Sequence, residues 1–118
     1  MKPESLQHLA ECLRRFAAER DWEQFHSPKN LSMALSVEVA EIVEHFQWLT
    51  QEQSRELDAA KREAVGQELA DALIYLVRLA DQLEIDLLQA AERKLALNEA
   101  KYPAERVRGS SKKYSEYE

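Results

Sequence analysis

Two pairs of acidic residues lie in stretches of sequence that otherwise have the composition of buried helices: Glu38 with Glu41, and Glu68 with Asp71. Residues three apart on an α-helix share a face, with Cβ atoms about 5–6 Å apart, so each pair can direct two carboxylates toward one point. If the two helices pack side by side, four anions meet, and buried anions require a cation. Carboxylate oxygens favour Mg²⁺, with Mn²⁺ as the alternative. The spacing therefore predicts a metal site at these four residues.

Asp71 carries the strongest argument for such a site, because it is surrounded by Leu, Ala and Ile, where an unpaired carboxylate would be costly. The competing interpretation is an ordinary charged helix face, which accounts for most single Glu-x-x-Glu pairs. A di-iron carboxylate site would need Glu-x-x-His motifs, whereas in this chain His45 follows Glu41 by four residues. An oxygen-only site for a divalent ion is therefore the favoured interpretation.

Three polar residues further along the chain share a second helix face, since Lys94, Asn98 and Lys101 are spaced four and three apart. They have the spacing of an ordinary solvated face. Beside a carboxylate–metal site, however, lysines can neutralise phosphate oxygens and stabilise the charge that develops during phosphoryl chemistry. The spacing is consistent with either function.

Aromatic residues are concentrated where the helical periodicity is weak or ends. Trp22, Phe25 and His26 lie in a non-periodic segment, Trp48 follows a periodic stretch, and Tyr75 lies seven residues after Glu68. Such residues most often pack in a core. Their position beside polar groups is also suited to stacking on a nucleotide base, with His26 as a hydrogen-bonding partner.

The composition predicts an all-α domain with little room for a core of its own. The chain has 118 residues, of which 45% are hydrophobic, and it has only 2 Gly and 3 Pro. A net charge of −6 disfavours nucleic acid as a partner. No apolar run approaches the roughly 20 residues of a membrane span, and the single Cys12 and the polar N-terminus fit a cytoplasmic protein.

Hydrophobic periodicity predicts four helices that would position these residues. They span about 4–20, the stretch that follows an N-cap at Asn30, about 62–83 and about 86–100. The third is apolar on almost every side, which predicts a central, buried helix in a four-helix bundle that is completed by oligomerisation. Residues 1–107 are expected to form the domain and residues 108–118 a basic, flexible tail.

The chain resembles the all-α nucleoside triphosphate pyrophosphohydrolases of the MazG-like family along nearly its whole length. The matching segments are residues 16–26 (FAAERDWEQFH), residues 30–48 with EVAE and FQW, residues 68–77 (ELADALIYLV), residues 98–103 (NEAKYP) and residues 110–114 (SSKKY). The combination is specific, whereas an acidic pair alone would be weak evidence. The greatest similarity is to members of the family that act on dCTP.

The resemblance implies Mg²⁺-dependent hydrolysis of a deoxynucleoside triphosphate, dCTP or modified dCTP, to the monophosphate and pyrophosphate, with a function in cleaning the nucleotide pool. It implies Glu41 and Asp71 as catalytic residues among the four metal ligands. It also implies a homotetramer built as a dimer of dimers. The binding residues that it implies are Trp22, Phe25, His26, Trp48 and Tyr75 for base and sugar, and Lys94, Asn98 and Lys101 for the phosphates.

The chain departs from the family pattern at two positions. Val37 stands where many members have a further Glu, and Leu13 stands where dCTP-specific members have a His. Two alternatives therefore stand beside dCTP hydrolysis. One is hydrolysis of dUTP or of a broad set of triphosphates, and the other is a non-catalytic helical oligomer with an acidic patch that binds a partner.

Overall fold

A computed structural model of the chain describes residues 1–116, and within them all regular secondary structure is helical. The prediction of an all-α protein is confirmed. The elements are α1 (Leu6–Glu19), a 3₁₀ turn (Glu23–Phe25), α2 (Pro28–Phe46), α3 (Gln51–Arg55), α4 (Ala59–Gln82), α5 (Leu87–Lys101), α6 (Ala104–Val107) and a second 3₁₀ turn (Tyr114–Glu116). None of the helices in this part of the chain combines the length and the apolar character needed to cross a membrane.

The start of α2 differs from the prediction of an N-cap at Asn30. Ser27 is the N-cap, and its hydroxyl accepts the backbone N–H of Asn30 at 3.2 Å. Pro28 occupies the first helical position, where its fixed φ suits the helix and its missing N–H costs nothing. Ser followed by Pro is therefore the stronger start signal. The Asn30 side chain instead donates to the carbonyl oxygen of Phe25 at 3.1 Å and ties the preceding turn to α2.

The segment between α1 and α2 begins with a left-handed residue. Asp21 has a φ of 53°, a conformation that Asp tolerates better than most residues. The backbone N–H of Trp22 then donates to the carbonyl oxygen of Ala17 at 2.9 Å, which satisfies one of the last acceptors of α1. The chain reverses here, and the aromatic residues that follow are held close to the end of α1.

The chain divides into two compact units, of which the first comprises Met1–Ile85. In this unit α2 packs along α4, and α1 packs against α4 as well. The buried apolar residues are few and mostly small: Ala10, Ala17, Leu31, Val65, Val77 and Ala80. The second unit begins at Asp86 and contains α5 and α6. The proposed boundary at residue 107 stays a prediction, and residues 117 and 118 lie outside the described part of the chain.

The expectation that the third predicted helix is buried is wrong for a single chain. This helix is α4, and its apolar residues Leu69, Leu73 and Leu76 are 53%, 41% and 39% exposed. Its sequence is apolar on more sides than α1 and α2 can cover. Large exposed apolar surfaces of this kind mark sites of association.

Candidate metal centre

Three carboxylates meet in the seam between α2 and α4. Glu38 and Glu41 come from α2 and Glu68 from α4, and one oxygen of each lies within 4.8 Å of the others. All three side chains are half-buried. The i, i+3 spacing on α2 and the close packing of the two helices produce this arrangement, as the sequence predicts for three of its four acids.

Two oxygens of this acidic cluster have no protein partner. Glu38 Oε2 and Glu68 Oε2 are buried, and no hydrogen-bond donor reaches either of them in residues 1–116. A buried carboxylate oxygen without a partner costs free energy, and most such atoms in folded proteins are satisfied. A divalent cation with oxygen ligands would satisfy both atoms. The donor set therefore fits Mg²⁺ or Mn²⁺ better than zinc, which prefers nitrogen and sulfur.

The electrostatics of the cluster agree with this interpretation. The pKa of Glu38 is raised to about 7, first by a hydrogen bond with the Glu41 carboxyl group, then by burial and by the negative charges of Glu41, Asp71 and Glu68. The pKa of Glu68 is raised as well, again first by a hydrogen bond with Glu41. Without a cation, the raised pKa means that Glu38 retains its proton to a higher pH than an ordinary glutamate does. Glu41 is the member that hydrogen-bonds to both of the others.

Asp71 lies beside this cluster but outside its three-carboxylate core. Its charge raises the pKa of both Glu38 and Glu68. Its side chain is exposed, so the expectation that Asp71 is buried among Leu and Ile is wrong for a single chain. The reason is the uncovered apolar surface of α4, because the neighbouring Leu69 and Leu73 are exposed too. Its assignment as a metal ligand stays a prediction.

His45 is a neighbour of the cluster that the sequence analysis used only to exclude di-iron. Its Nε2 lies 4.0 Å from Glu68 Oε1, and when protonated it lowers the Glu68 pKa against the other effects. The signal was present in the sequence. His45 follows Glu38 by seven residues and Glu41 by four, and that spacing places it on the same face of α2.

The aromatic segment between α1 and α2 brings two of the predicted binding residues together. The Trp22 ring lies 5.7 Å from Phe16 and 6.4 Å from His26 in edge-to-face geometry. Trp22 and Phe25 are 44% and 59% exposed, so both rings present apolar surface to solvent. Exposed rings on a short turn can stack on a planar ligand.

The remaining predicted binding residues are more scattered. Trp48 is 87% exposed and lies just beyond the end of α2, while Tyr75 is half-buried on α4. Lys94, Asn98 and Lys101 share a face of α5, in the second unit, with both lysines exposed and Asn98 half-buried. For all five residues, a part in ligand binding stays a prediction.

A buried arginine near the aromatic segment was missed by the sequence analysis. Arg78 is only 4% exposed, and its Nε donates to His26 Nδ1 at 3.2 Å. Its guanidinium also lies 3.6 Å from Asp81, which in turn accepts two hydrogen bonds of 2.7 Å from Arg14. The sequence did contain a signal for this residue, which is a single arginine within the apolar run of residues 76–80. An arginine that is buried needs a paired group.

Comparisons of this chain with a family model, with similar proteins and with a solved structure agree with one another. The model of the MazG-like family matches residues 33–117. Human dCTP pyrophosphatase 1 is 46% identical over 114 residues, which is 95% of this chain and 67% of the human protein. The bovine dCTP pyrophosphatase 1 is 44% identical over the same share of this chain and 68% of its own length. The crystal structure of a pyrophosphatase from Archaeoglobus fulgidus DSM 4304 superposes with a TM-score of 0.78 at 41% identity, covering 83% of this chain and 92% of that chain.

Proposed function

The chain belongs to the MazG-like family, and from that premise we propose that it hydrolyses a deoxynucleoside triphosphate to the monophosphate and pyrophosphate. Support for the reaction comes from relatives that are named dCTP pyrophosphatase and that match 95% of the chain. We propose dCTP or a modified dCTP as the preferred substrate, and the cleaning of the nucleotide pool as the purpose.

The observation that carries this proposal is the acidic cluster with its two unpartnered oxygens, Glu38 Oε2 and Glu68 Oε2. We propose that Glu38, Glu41 and Glu68 hold Mg²⁺, with the exposed Asp71 completing the ligand set. When bound, the ion would polarise phosphoryl oxygens and lower the pKa of a water molecule. The phosphate oxygens of a nucleoside triphosphate are of the ligand type that Mg²⁺ takes together with carboxylates.

The protein's own groups would position the reactants. Glu41 interacts with both Glu38 and Glu68, and from that central position its carboxylate can orient the attacking water. Trp22 and Phe25 expose ring surface on which a base can stack, beside His26. Phosphate contacts from Lys94, Asn98 and Lys101 belong to the proposal on the strength of their sequence spacing.

We further propose that the active form is a homotetramer, a dimer of dimers. The argument is the exposed apolar surface of α4, which includes Leu69, Leu73 and Leu76. Burying apolar surface stabilises by about 25 cal/mol per Å², and the small core of the first unit leaves much of that stabilisation to be gained by association. The molecular mass in solution, measured by light scattering, tests this part directly.

A broader substrate range is the second candidate. Leu13 is half-buried on α1, at the position where dCTP-specific members of the family have a histidine. An apolar side chain there removes one hydrogen-bonding partner for a base. Recognition of dUTP or of several triphosphates would then depend on the remaining contacts.

The test is pyrophosphate release from a panel of dNTPs and NTPs, with Mg²⁺ and with EDTA. We expect Mg²⁺-dependent release that is greatest with dCTP. Release that is greatest with another nucleotide would retain the reaction and reassign the base preference. No release from any nucleotide would contradict the proposed reaction.

A further inference from the structure

The side-chain hydrogen bond between Arg78 and His26 fixes the protonation of a histidine in the aromatic segment. Arg78 Nε donates to His26 Nδ1 at 3.2 Å, across 52 residues of sequence. A guanidinium has only donors, so Nδ1 must accept with a lone pair. In a neutral imidazole the proton then resides on the other nitrogen, Nε2.

Arg78 is itself buried and held by further polar contacts. It is 4% exposed, and its Nη1 lies 3.6 Å from Asp81 Oδ2. With its amide oriented so that the oxygen faces the guanidinium, Gln82 accepts from Nη1 and Nη2 of Arg78, both at 3.2 Å. Asp81 is fixed from the other side by the two 2.7 Å hydrogen bonds from Arg14. The donor that faces His26 therefore has one orientation.

The charges around His26 favour the neutral ring. Burial and the positive charge of Arg78 both lower the pKa of His26. The other charged groups of this network are Asp81 on α4 and Arg14 on α1, and their mutual pairing largely neutralises both. Burial and Arg78 thus both favour the uncharged ring, and the position of Arg78 leaves Nδ1 as the acceptor.

We propose that Arg78 is a positioning residue, which holds His26 as the neutral tautomer protonated on Nε2, so that the ring offers a bound nucleotide one hydrogen-bond donor and no acceptor. This inference rests on the proposed function, in which His26 belongs to the nucleotide pocket. It defines the chemistry that His26 can recognise. An acceptor of the nucleotide, such as a base carbonyl oxygen or an unprotonated ring nitrogen, is favoured, and an amino group at the same position is rejected.

The first test uses the unaltered chain without nucleotide. Long-range ¹H–¹⁵N NMR spectra distinguish a protonated from an unprotonated imidazole nitrogen. We expect His26 Nδ1 to be unprotonated, Nε2 to be protonated, and the ring to titrate below the ordinary histidine pKa of about 6.5. A proton on Nδ1 in the neutral ring, or a charged ring at pH 7, would overturn the inference.

The second test compares Arg78→Met with Arg62→Met, which removes an exposed arginine from the same helix. Arg78→Met should raise the His26 pKa toward 6.5 and populate both tautomers, and Arg62→Met should do neither. With nucleotide, Arg78→Met should raise KM by up to about tenfold and leave kcat nearly unchanged, because one binding hydrogen bond is weakened. An unchanged KM together with an unchanged His26 tautomer would show that Arg78 is only structural.

Failure of this inference and failure of the proposed function have different signatures. The tautomer and the His26 pKa are measured without nucleotide, and the unaltered chain yields them even if Arg78→Met does not fold. A chain that hydrolyses no nucleotide but shows the expected tautomer would contradict the proposed function alone. A chain that hydrolyses dCTP with His26 protonated on Nδ1 would contradict the inference alone.

Discussion

Two groups of charged residues lie along α4, and their charges are arranged in opposite ways. One group gathers like charges, and the other pairs opposite charges. Near its middle, Glu68 joins Glu38 and Glu41 from α2 in a cluster of like charges. At its C-terminal end, Asp81 joins cations on α1 and α4. The pKa of Glu68 is raised and the pKa of Asp81 is lowered. Helix α4 thus carries one carboxyl group whose pKa is above the ordinary value and another whose pKa is below it.

The difference shows which of the two regions has its charged groups paired within the described residues. Every strong contact of Asp81 is a cation, and hydrogen bonding to Arg14 is the largest cause of its lowered pKa. The acidic cluster keeps two buried oxygens, Glu38 Oε2 and Glu68 Oε2, for which the described residues provide no donor. The charge of Asp81 is therefore paired within the described residues, whereas the acidic cluster is a candidate site for a bound cation.

The largest effect is expected from Glu41→Gln, which removes the central anion of the cluster. Pyrophosphate release with Mg²⁺ should fall about a thousandfold, because a weakened metal site loses several kcal/mol of transition-state stabilisation. Stability without metal should not fall, since repulsion is relieved. The control is Glu44→Gln, an exposed acid three residues along α2. Equal activity of the two variants would show that Glu41 is not part of the metal site.

The opposite result is expected at the other end of α4, where Asp81→Asn should reduce stability and leave the cluster intact. The change leaves the buried Arg78 without its counter-charge, and breaking a buried pair costs about 3 kcal/mol. Glu63→Gln, at an exposed position of α4, should change stability by less than about 0.5 kcal/mol. Denaturant titration at pH 7 measures both values. A loss for Asp81→Asn as small as that of the control would mean that Arg78 is satisfied by other groups.

A smaller effect, the gain in thermal stability when Mg²⁺ binds, distinguishes the two regions. Mg²⁺ should raise the melting temperature of the unaltered chain and of Asp81→Asn, but not of Glu41→Gln. At a hundred times the dissociation constant, a ligand that binds only the folded state adds about 2.7 kcal/mol. Differential scanning fluorimetry with Mg²⁺ and with EDTA provides the measurement. A shift that survives in Glu41→Gln would place the ion elsewhere.

The smallest expected effect is a pH dependence of the contribution that Asp81 makes to the free energy of unfolding. Because the folded-state pKa of Asp81 is lowered, its stabilisation is fully present above the unfolded-state value of about 3.9 and is lost as the pH falls through the folded-state value. The stability difference between the unaltered chain and Asp81→Asn should therefore be constant from pH 7 to about pH 5 and should shrink below about pH 4. A difference that grows as the pH falls would contradict this sign.

Local sequence patterns were sufficient for most of the fold. The three predicted ranges agree with α1, α4 and α5 to within three residues at each end, because periodicity and terminal signals act over a few residues. The error at the start of α2 was also local. Asn30 is a favourable N-cap type, but Ser27 with Pro28 offers both a cap and a preset φ.

The parts of the site that sequence reasoning missed depend on distant contacts. Arg78 meets His26 across 52 residues, and Arg14 meets Asp81 across 67. Neither separation leaves a periodic trace in the sequence. The exposed side chain of Asp71 could not be foreseen either, because a helix that is apolar on every side predicts burial without stating whether the same chain supplies the cover.

The length of α4 has a consequence for the motions of the molecule. It runs without interruption from Ala59 to Gln82, and its hydrogen-bonded turns link the middle, where the acids are, to the end that holds His26. Helix formation is cooperative, so neighbouring turns of one helix are energetically coupled. We therefore expect amide hydrogen exchange along the second half of α4 to slow together when the acidic cluster binds its ion, so that metal loading also steadies the turn that carries the aromatic rings.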